Sequence, residues 1–466
     1  KITGKVISTE NNEPLPGVNI VVKGTNLGTT TDASGNFELN IKEEKVIIIV
    51  SFLGYVTEEM EVTAGSNITI KLVPDIMGLN EVVVIGYGTE KKSLITGSIT
   101  NISGENIQNS SLTRVDQAIQ GKAAGVYVLP VSGSPGSSTK IRIRGAGTNG
   151  DANPLYIVDG MKTKDITYLA PEDIASMEIL KDGAASAIYG AEGGNGVVII
   201  TTKEGKTGKG NITYSMQIGN QSPGKLPDLM NAEQYAQFMA EGNLLTINPE
   251  QFKGQKGTNW LDEIFDDAPM QKHYLAFSGG KDELTFHSSL SYINQDGILG
   301  GSKANFERIT GRFNIDSKLN KWIKVGGKIG YSNTKRAAIT EDSEFDGLIS
   351  GALMIDPITK PYYSISELPE HMQKLLDEGK PLRKKDDNTY FGISEYIQGE
   401  AVNPLIRLDI SNGKTLVHNI LGTSYIELNP IKNFLFTSRI GIDFTSSNRH
   451  YWNPTYYYSS ERQNSS

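Results

Sequence analysis

The sequence predicts a mainly β protein in three parts: a small N-terminal β-sandwich, a glycine-rich α/β segment, and part of a large antiparallel transmembrane β-barrel. Three observations predict this. Short β-branched runs separated by turn residues fill positions 1 to 74. Residues 94 to 205 mix short strands with glycine turns and a helix start. From Asn211 onward, longer segments alternate apolar and polar residues with period two, and tight turns alternate with long excursions between them.

Composition narrows the classes. A chain of 466 residues exceeds one ordinary domain. A net charge of −8 argues against a nucleic-acid partner. The absence of cysteine removes disulfides, thiolate metal sites and cysteine nucleophiles together. Glycine is abundant at 50 residues and tyrosine (20) outnumbers phenylalanine (14), which suits many-stranded β-structure with wet rims. The longest apolar run, Val46 to Gly54, is too short to cross a bilayer as a helix. A closed barrel is the other way across.

In residues 1 to 74 the candidate strands are Lys1 to Ser8, Gly17 to Lys23, Gly35 to Ile41, Lys45 to Phe52, Glu58 to Val62 and Asn67 to Val73. Val46 to Val50 is continuously apolar, as a strand between two sheets would be. This part has no histidine and its acids sit in turns and on polar faces, so it reads as a folding or docking module. Gly4-Lys5-Val6, Leu15-Pro16-Gly17-Val18-Asn19-Ile20, Thr31-Asp32, Gly35-Asn36-Phe37 and Gly54-Tyr55 resemble the carboxypeptidase-regulatory-like domain.

Residues 75 to 93 read as a linker holding one short strand, Glu81-Val82-Val83-Val84-Ile85, which Gly86 and Gly88 terminate. Such a strand has no partner of its own and is suited to pairing by another protein. The competing reading is an ordinary buried strand of a neighbouring domain.

Between 94 and 205, Ser103-Gly104-Glu105-Asn106 reads as a helix start and Leu112 to Gly121 as a short helix. Val126 to Leu129, Lys140 to Arg144, Pro154 to Val158, Ser176 to Leu180 and Gly196 to Thr202 read as strands. Gly145-Ala146-Gly147-Thr148-Asn149-Gly150 satisfies the dinucleotide-binding pattern. It fails in context. The preceding strand alternates apolar with charged residues, and another strand follows where a helix N-terminus should receive phosphates.

Residues 206 to 466 carry about seven strands: 211–219, 271–279, 284–296, 305–317, 321–334, 414–428 and 431–446. Phe434, Phe436, Ile440, Ile442 and Phe444 share one face of the last, and Thr437, Arg439, Gly441 and Asp443 the other. Ile323, Val325, Ile329 and Tyr331 alternate likewise with Lys324, Lys328 and glycines. Gly280 to Glu283, Lys318 to Asn320 and Asn429-Pro430 are short links; Asn220 to Met270 and Lys335 to Gly413 are long, and Gly297 to Ala304 is intermediate. Short turns on one side and long loops on the other is the outer-membrane pattern. A soluble antiparallel sheet with one solvated face gives no reason for it. A plugged barrel takes about 22 strands, so the reading expects an N-terminal portion of a longer barrel.

Enzymatic chemistry has little support. The histidines at 273, 287, 371, 418 and 450 lack metal-ligand spacing, and Asp266-Asp267 and Asp386-Asp387 read as solvated loop charges. No catalytic residue, metal site or cofactor is expected.

Several motifs converge on one family. Gln117-Ala118-Ile119-Gln120-Gly121-Lys122, Ile141-Arg142-Ile143-Arg144-Gly145, Pro154-Leu155-Tyr156-Ile157-Val158-Asp159-Gly160, Ile179-Leu180-Lys181-Asp182-Gly183, Ile188-Tyr189-Gly190 and Gly194-Asn195-Gly196-Val197 resemble the plug domain of TonB-dependent outer-membrane transporters. The subfamily resembled is the SusC-like one of Bacteroidetes, and Thr258 to Phe265 and Asn403-Pro404-Leu405 are similar to its barrels. The resemblance implies that Glu81, Val82, Val83, Val84 and Ile85 form a Ton box that TonB pairs with, although Asn80 stands where aspartate is common. It implies plug-motif roles for Arg142, Arg144, Gly145, Asp159, Gly160, Tyr189 and Gly190. It further implies the bacterial outer membrane as location, lipid contact, a SusD-like surface lipoprotein as partner, and oligosaccharides or peptides as imported substrate. The alternative is a non-transporting surface receptor or adhesin with the same domain order.

Overall fold

The computed structural model describes the chain except at residues 10, 11, 26, 42, 53, 54, 56, 74–81, 86, 87, 92–97, 109–112, 345, 346, 398–401, 432, 433, 460–462, 465 and 466. It divides into two compact units, Lys1–Gly97 and Ser98–Ser466.

The first unit holds β1 Ile2–Ser8, β2 Asn19–Val22, β3 Gly28–Thr30, β4 Asn36–Leu39, β5 Lys45–Ser51, β6 Glu58–Thr63 and β7 Asn67–Leu72. They form two sheets, β4-β1-β7 and β3-β2-β5-β6. Val6, Ile20, Ile48, Val50, Ile70 and Leu72 are fully buried between them, because alternate residues of each strand turn inward. Gly4 lies where a β-carbon would run into the Ile68 carbonyl and the Phe37 ring. The turn before β4 is fixed by the Asp32 carboxylate, which accepts from the Ser34 and Asn36 N–H groups at 2.8 Å.

After the sandwich come β8 Val82–Ile85 and β9 Gly88–Lys91. Glu81 lies outside the described residues. The expected lone strand is corrected here: β8 pairs antiparallel with β9, Val82 opposite Lys91 and Ile85 opposite Gly88. Two residues separate the strands, the spacing a tight hairpin needs.

The second unit begins with β10 Ile99–Ser103 and α1 Gly104–Gln108, followed by β11 Val126–Pro130, β12 Thr139–Ile143, β13 Leu155–Val158, β14 Met161–Thr163, β15 Ile174–Leu180, α2 Gly183–Ser186 and β16 Val197–Thr202. One sheet runs β10-β15-β16-β13-β14, and β11 and β12 form a separate hairpin. Its core includes Ile107, Ile119, Ile141, Val158, Ile174, Met177, Ile179, Val198 and Ile200. The helix expected from Leu112 to Gly121 is corrected to a single 3-10 turn, Asp116–Ile119. Gly121 at φ +71° stops it, and Arg114 and Asp116 are tied to each other at 2.5 Å in the interior.

The wall consists of β17 Gly208–Gln221, β18 Ala268–Lys281, β19 Leu284–Gly297, β20 Gly301–Lys318 and β21 Ile323–Ala337, then, past three short loop strands (β22 Tyr362–Ser364, β23 Lys384–Asp386, β24 Thr389–Phe391), β25 Lys414–Leu428 and β26 Phe436–His450. The seven long strands form one antiparallel meander, β17-β18-β19-β20-β21-β25-β26. Its outer face is apolar and open: Ile212, Tyr214, Ile218, Ile329, Ile440, Ile442 and Phe444 are exposed. Trp322 stands at the short-turn end and Tyr451 and Trp452 at the long-loop end, as interfacial aromatics do. No helix among the described residues is long and apolar enough to cross a membrane.

Two expectations about the links need correction. The intermediate link is only residues 298–300, because Gly300 and Gly301 both adopt positive φ (77° and 54°) and close it tightly. The last strand starts at Phe436, not near 431, and ahead of it the Phe434 N–H donates to the Ile431 carbonyl instead of to a neighbouring strand.

The long links fold onto one another. They carry α3 Ala232–Glu241, α4 Trp260–Ile264, α5 Leu348–Met354, α6 Glu370–Asp377 and α7 Pro404–Ile410. Trp260, Leu261, Ile264, Leu299, Leu348, Phe391, Leu405 and Ile406 share one core. Trp260 donates its indole N–H to the Asp356 carbonyl at 2.8 Å. The buried Asp356 carboxylate accepts from the Thr359 N–H at 2.7 Å and hydroxyl at 2.9 Å. These loops therefore form an ordered body with a core of its own.

Candidate functional site

The site with the densest chemistry is the seam between the α/β segment and the inner face of the wall. It follows from strand periodicity. On β20, Arg308, Arg312 and Asn314 share the inward row, while Ile309 and Phe313 face outward. On β21, Lys328 points inward between the outward Ile329 and glycines. The α/β segment supplies the acids and carbonyls that meet them.

Asp159 is the centre of this seam. It sits in the β13–β14 turn at φ +49°, followed by Gly160 at φ +84°. Its carboxylate accepts from Lys328 Nζ at 3.1 Å, from the Thr202 N–H at 3.1 Å and hydroxyl at 2.8 Å, and from Arg312 Nη2. Burial alone would raise its pKa, but the Lys328 and Arg312 charges and the Thr202 hydrogen bonds hold it below the ordinary carboxylate range. Lys328 also reaches Glu204 at 2.5 Å. Gly160 suits its φ of +84°, which a side chain would strain, and a β-carbon there would push aside the Arg439 guanidinium.

A second cluster lies at the start of β15. Glu172 pairs with Lys272 at 2.5 Å. Asp173 accepts from the Tyr274 hydroxyl at 2.9 Å and has His287 Nε2 at 3.9 Å. Burial raises the Asp173 pKa, yet the neighbouring His287 and Ser289 side chains, the Arg312 charge and the Tyr274 hydroxyl lower it overall. Nearer the long loops, Arg308 donates to the Thr113 carbonyl at 3.2 Å and to the Thr167 carbonyl. At the other end, Asn314 Nδ2 donates to the Lys203 carbonyl at 2.6 Å. Buried charge is stable only when paired and hydrogen-bonded, so these contacts fasten the segment to the wall.

The other expected motif residues have different positions. Arg142 donates to Asn153 Oδ1 at 2.7 Å and to the Ile141 carbonyl, within its own segment. Arg144 (φ +55°) and Gly145 (φ +98°) make the turn that ends β12. Tyr189 is buried, and Gly190 at φ +67° kinks the chain after it. Asp159, by contrast, bridges to wall cations. Val82 to Ile85 lie in the hairpin of the first unit, apart from this seam in the chain. The sequence reading missed Glu172, Asp173, Lys272, Tyr274, Arg308 and Arg312. The signal was present: Arg308 and Arg312 lie an even number apart on a strand whose intervening odd positions are apolar. Among the described residues no group of three or more His, Cys, Asp or Glu is placed to hold a metal.

A β-wall with an apolar outer face, filled on its inner face by an α/β plug fastened through buried charges, defines an outer-membrane receptor of the plugged-barrel class. Comparison with known proteins agrees. Residues 2–84 match the CarboxypepD_reg-like domain and residues 91–197 the TonB-dependent Receptor Plug Domain. The chain is 35% identical over 415 residues to TonB-dependent receptor P3 of Formosa agariphila, covering 85% of this chain and 41% of that protein. It is 35% identical over 385 residues to TonB-dependent receptor SusC of Bacteroides thetaiotaomicron, covering 77% and 36%. The RagAB peptide importer in its open-open state superposes with a TM-score of 0.65 at 24% identity, over 79% of this chain and 43% of that one, a likeness of fold. The chain belongs to the SusC-like TonB-dependent receptors and is an outer-membrane protein. It spans about two-fifths of the length of the curated relatives it matches.

Proposed function

We propose that this chain serves TonB-dependent import of oligosaccharides or peptides across the outer membrane. In this reading residues 1–74 are a regulatory-like module, 75–93 a linker with the Ton box, 94–205 the plug and 206–466 barrel wall. TonB adds a strand to Glu81–Ile85, main-chain hydrogen bonds supply the affinity, and a pull displaces the plug. A SusD-like lipoprotein covers the outer loops. The two relatives called receptors and the neighbour described as a peptide importer support transport and leave sugar or peptide open.

The observation that carries the reading is the seam itself. A plug held by Asp159, Glu172 and Asp173 against Lys328, Arg312 and Lys272 is closed at rest and needs work to open. A surface adhesin needs neither a fastened plug nor a coupling strand. The test is gentle-detergent purification from the native host with mass spectrometry of what co-purifies. A lipoprotein partner and loss of uptake in a TonB-deficient strain are expected; unchanged uptake in that strain overturns the reading.

A further inference from the structure

The motif Ile179-Leu180-Lys181-Asp182-Gly183 has no part in the seam. It holds the other end of the plug sheet. The Asp182 carboxylate accepts from the Ser98 N–H at 2.5 Å with one oxygen and from the Ala185 N–H at 2.8 Å with the other. The Lys181 N–H donates to the Ser98 carbonyl at 3.2 Å, so both backbone groups of Ser98 are tied to residues 181 and 182. Lys181 Nζ also donates to the Ala124 carbonyl at 3.2 Å. The Ser98 and Ala185 hydrogen bonds hold the Asp182 carboxyl below its ordinary range, so the group is an anion at neutral pH.

Topology gives this contact its meaning. Ser98 is the first residue of the second unit. It immediately precedes β10, which among the described residues is an edge strand paired with β15 through five residue pairs, Ile99 to Leu180 at one end and Ser103 to Ser176 at the other. Glu172 and Asp173, which fasten β15 to the wall, lie at the end opposite Asp182. Among the described residues of this unit, Ser98 is therefore the first that a pull from upstream meets, at the end of the sheet opposite the Glu172 and Asp173 anchors. Helix capping alone needs only one of the two carboxylate oxygens.

We propose that Asp182 is the pin through which a pull on the coupling segment enters the plug, and that it sets the force at which β10 leaves the sheet. Asp182 is a positioning residue in this role. The inference rests on the reading that the pull is applied upstream of Ser98, so the test applies that pull by instrument and needs no TonB.

A cysteine handle replaces Ser93, in a chain with no native cysteine. The receptor in outer-membrane vesicles is pulled from that handle by force spectroscopy. The parent shows a first peak at short extension. Asp182→Ser keeps an N-cap for α2 but cannot reach Ser98 as well, and Ser98→Pro removes the donor while leaving the carboxylate in place. Both are expected to lower the force of the first peak, because the β10–β15 ladder remains without its pin, with low solute leak through the vesicles showing that the plug is still seated. An unchanged first-peak force in either variant, or the absence of that peak from the parent, overturns the proposal.

Discussion

Asp159 of the plug and Lys328 of the wall stand 3.1 Å apart, and the Asp159 side chain is 1% exposed. Arg312 meets the same carboxylate. Two wall cations thus share one plug acid, and removing the acid leaves both without it.

Asp159→Leu should unseat the plug. Arg312 would lose its buried carboxylate partner, a change that costs about 3–5 kcal/mol, while Lys328 keeps Glu204. Lys328→Met should be milder, because Arg312 remains on the carboxylate. Influx of an antibiotic too large for ordinary porins, compared at matched surface abundance, checks this. Equal, low influx in both variants would show that the seam is not held at Asp159.

Acid should loosen the same seam from one direction only. Asp159 and Asp173 are depressed in the folded protein below the ordinary carboxylate value of 3.8. Their stabilisation is complete above that value and lost as pH falls through the folded values. Conductance of the reconstituted receptor should stay flat from about pH 8 to about pH 5 and rise only in stronger acid. A rise near neutrality would place the control on some other group.

The outer body should depend on Trp260. Trp260→Ala removes the largest fully buried side chain and the hydrogen bond to the Asp356 carbonyl, a loss of about 3–5 kcal/mol from the loop core. Protease treatment of whole cells should then cut within residues 222–267 and 338–413 while the barrel remains assembled. Resistance equal to the parent would mean that the loops are ordered by something other than this core.

Surface labelling should report orientation. Cysteines at Gly242 and Glu378 are expected to react from outside intact cells, and one at Asp282 is not. Glu378 is preferred to its neighbour Gly379, whose φ of +73° resists a side chain. Labelling at Asp282 alone would invert the wall.

Much of this architecture is legible in the sequence because strands repeat every two residues. The alternation of Phe436, Ile440, Ile442 and Phe444 with Arg439 and Asp443 already separates the two faces of β26. The seam is not legible in the same way. Asp159 and Lys328 are 169 positions apart, and nothing local to either names the other. The loop helices were missed although their caps are local: Asn231 and Gln234 form a capping box at the start of α3. The pairing of β8 with β9 was missed because Gly88 looked like an end and is instead the first residue of the return strand.

In the proposed mechanism a pull on residues 81–85 opens the plug. Val83 lies within β8, and proline there removes its backbone donor and restricts Val82. Threonine keeps the donor and the β-branch. The decisive measurement compares energised cargo uptake with whole-cell cargo binding in Val83→Pro and Val83→Thr at matched outer-membrane abundance. The proline variant is expected to bind cargo and not import it, while the threonine variant does both. Normal uptake by the proline variant would contradict that mechanism.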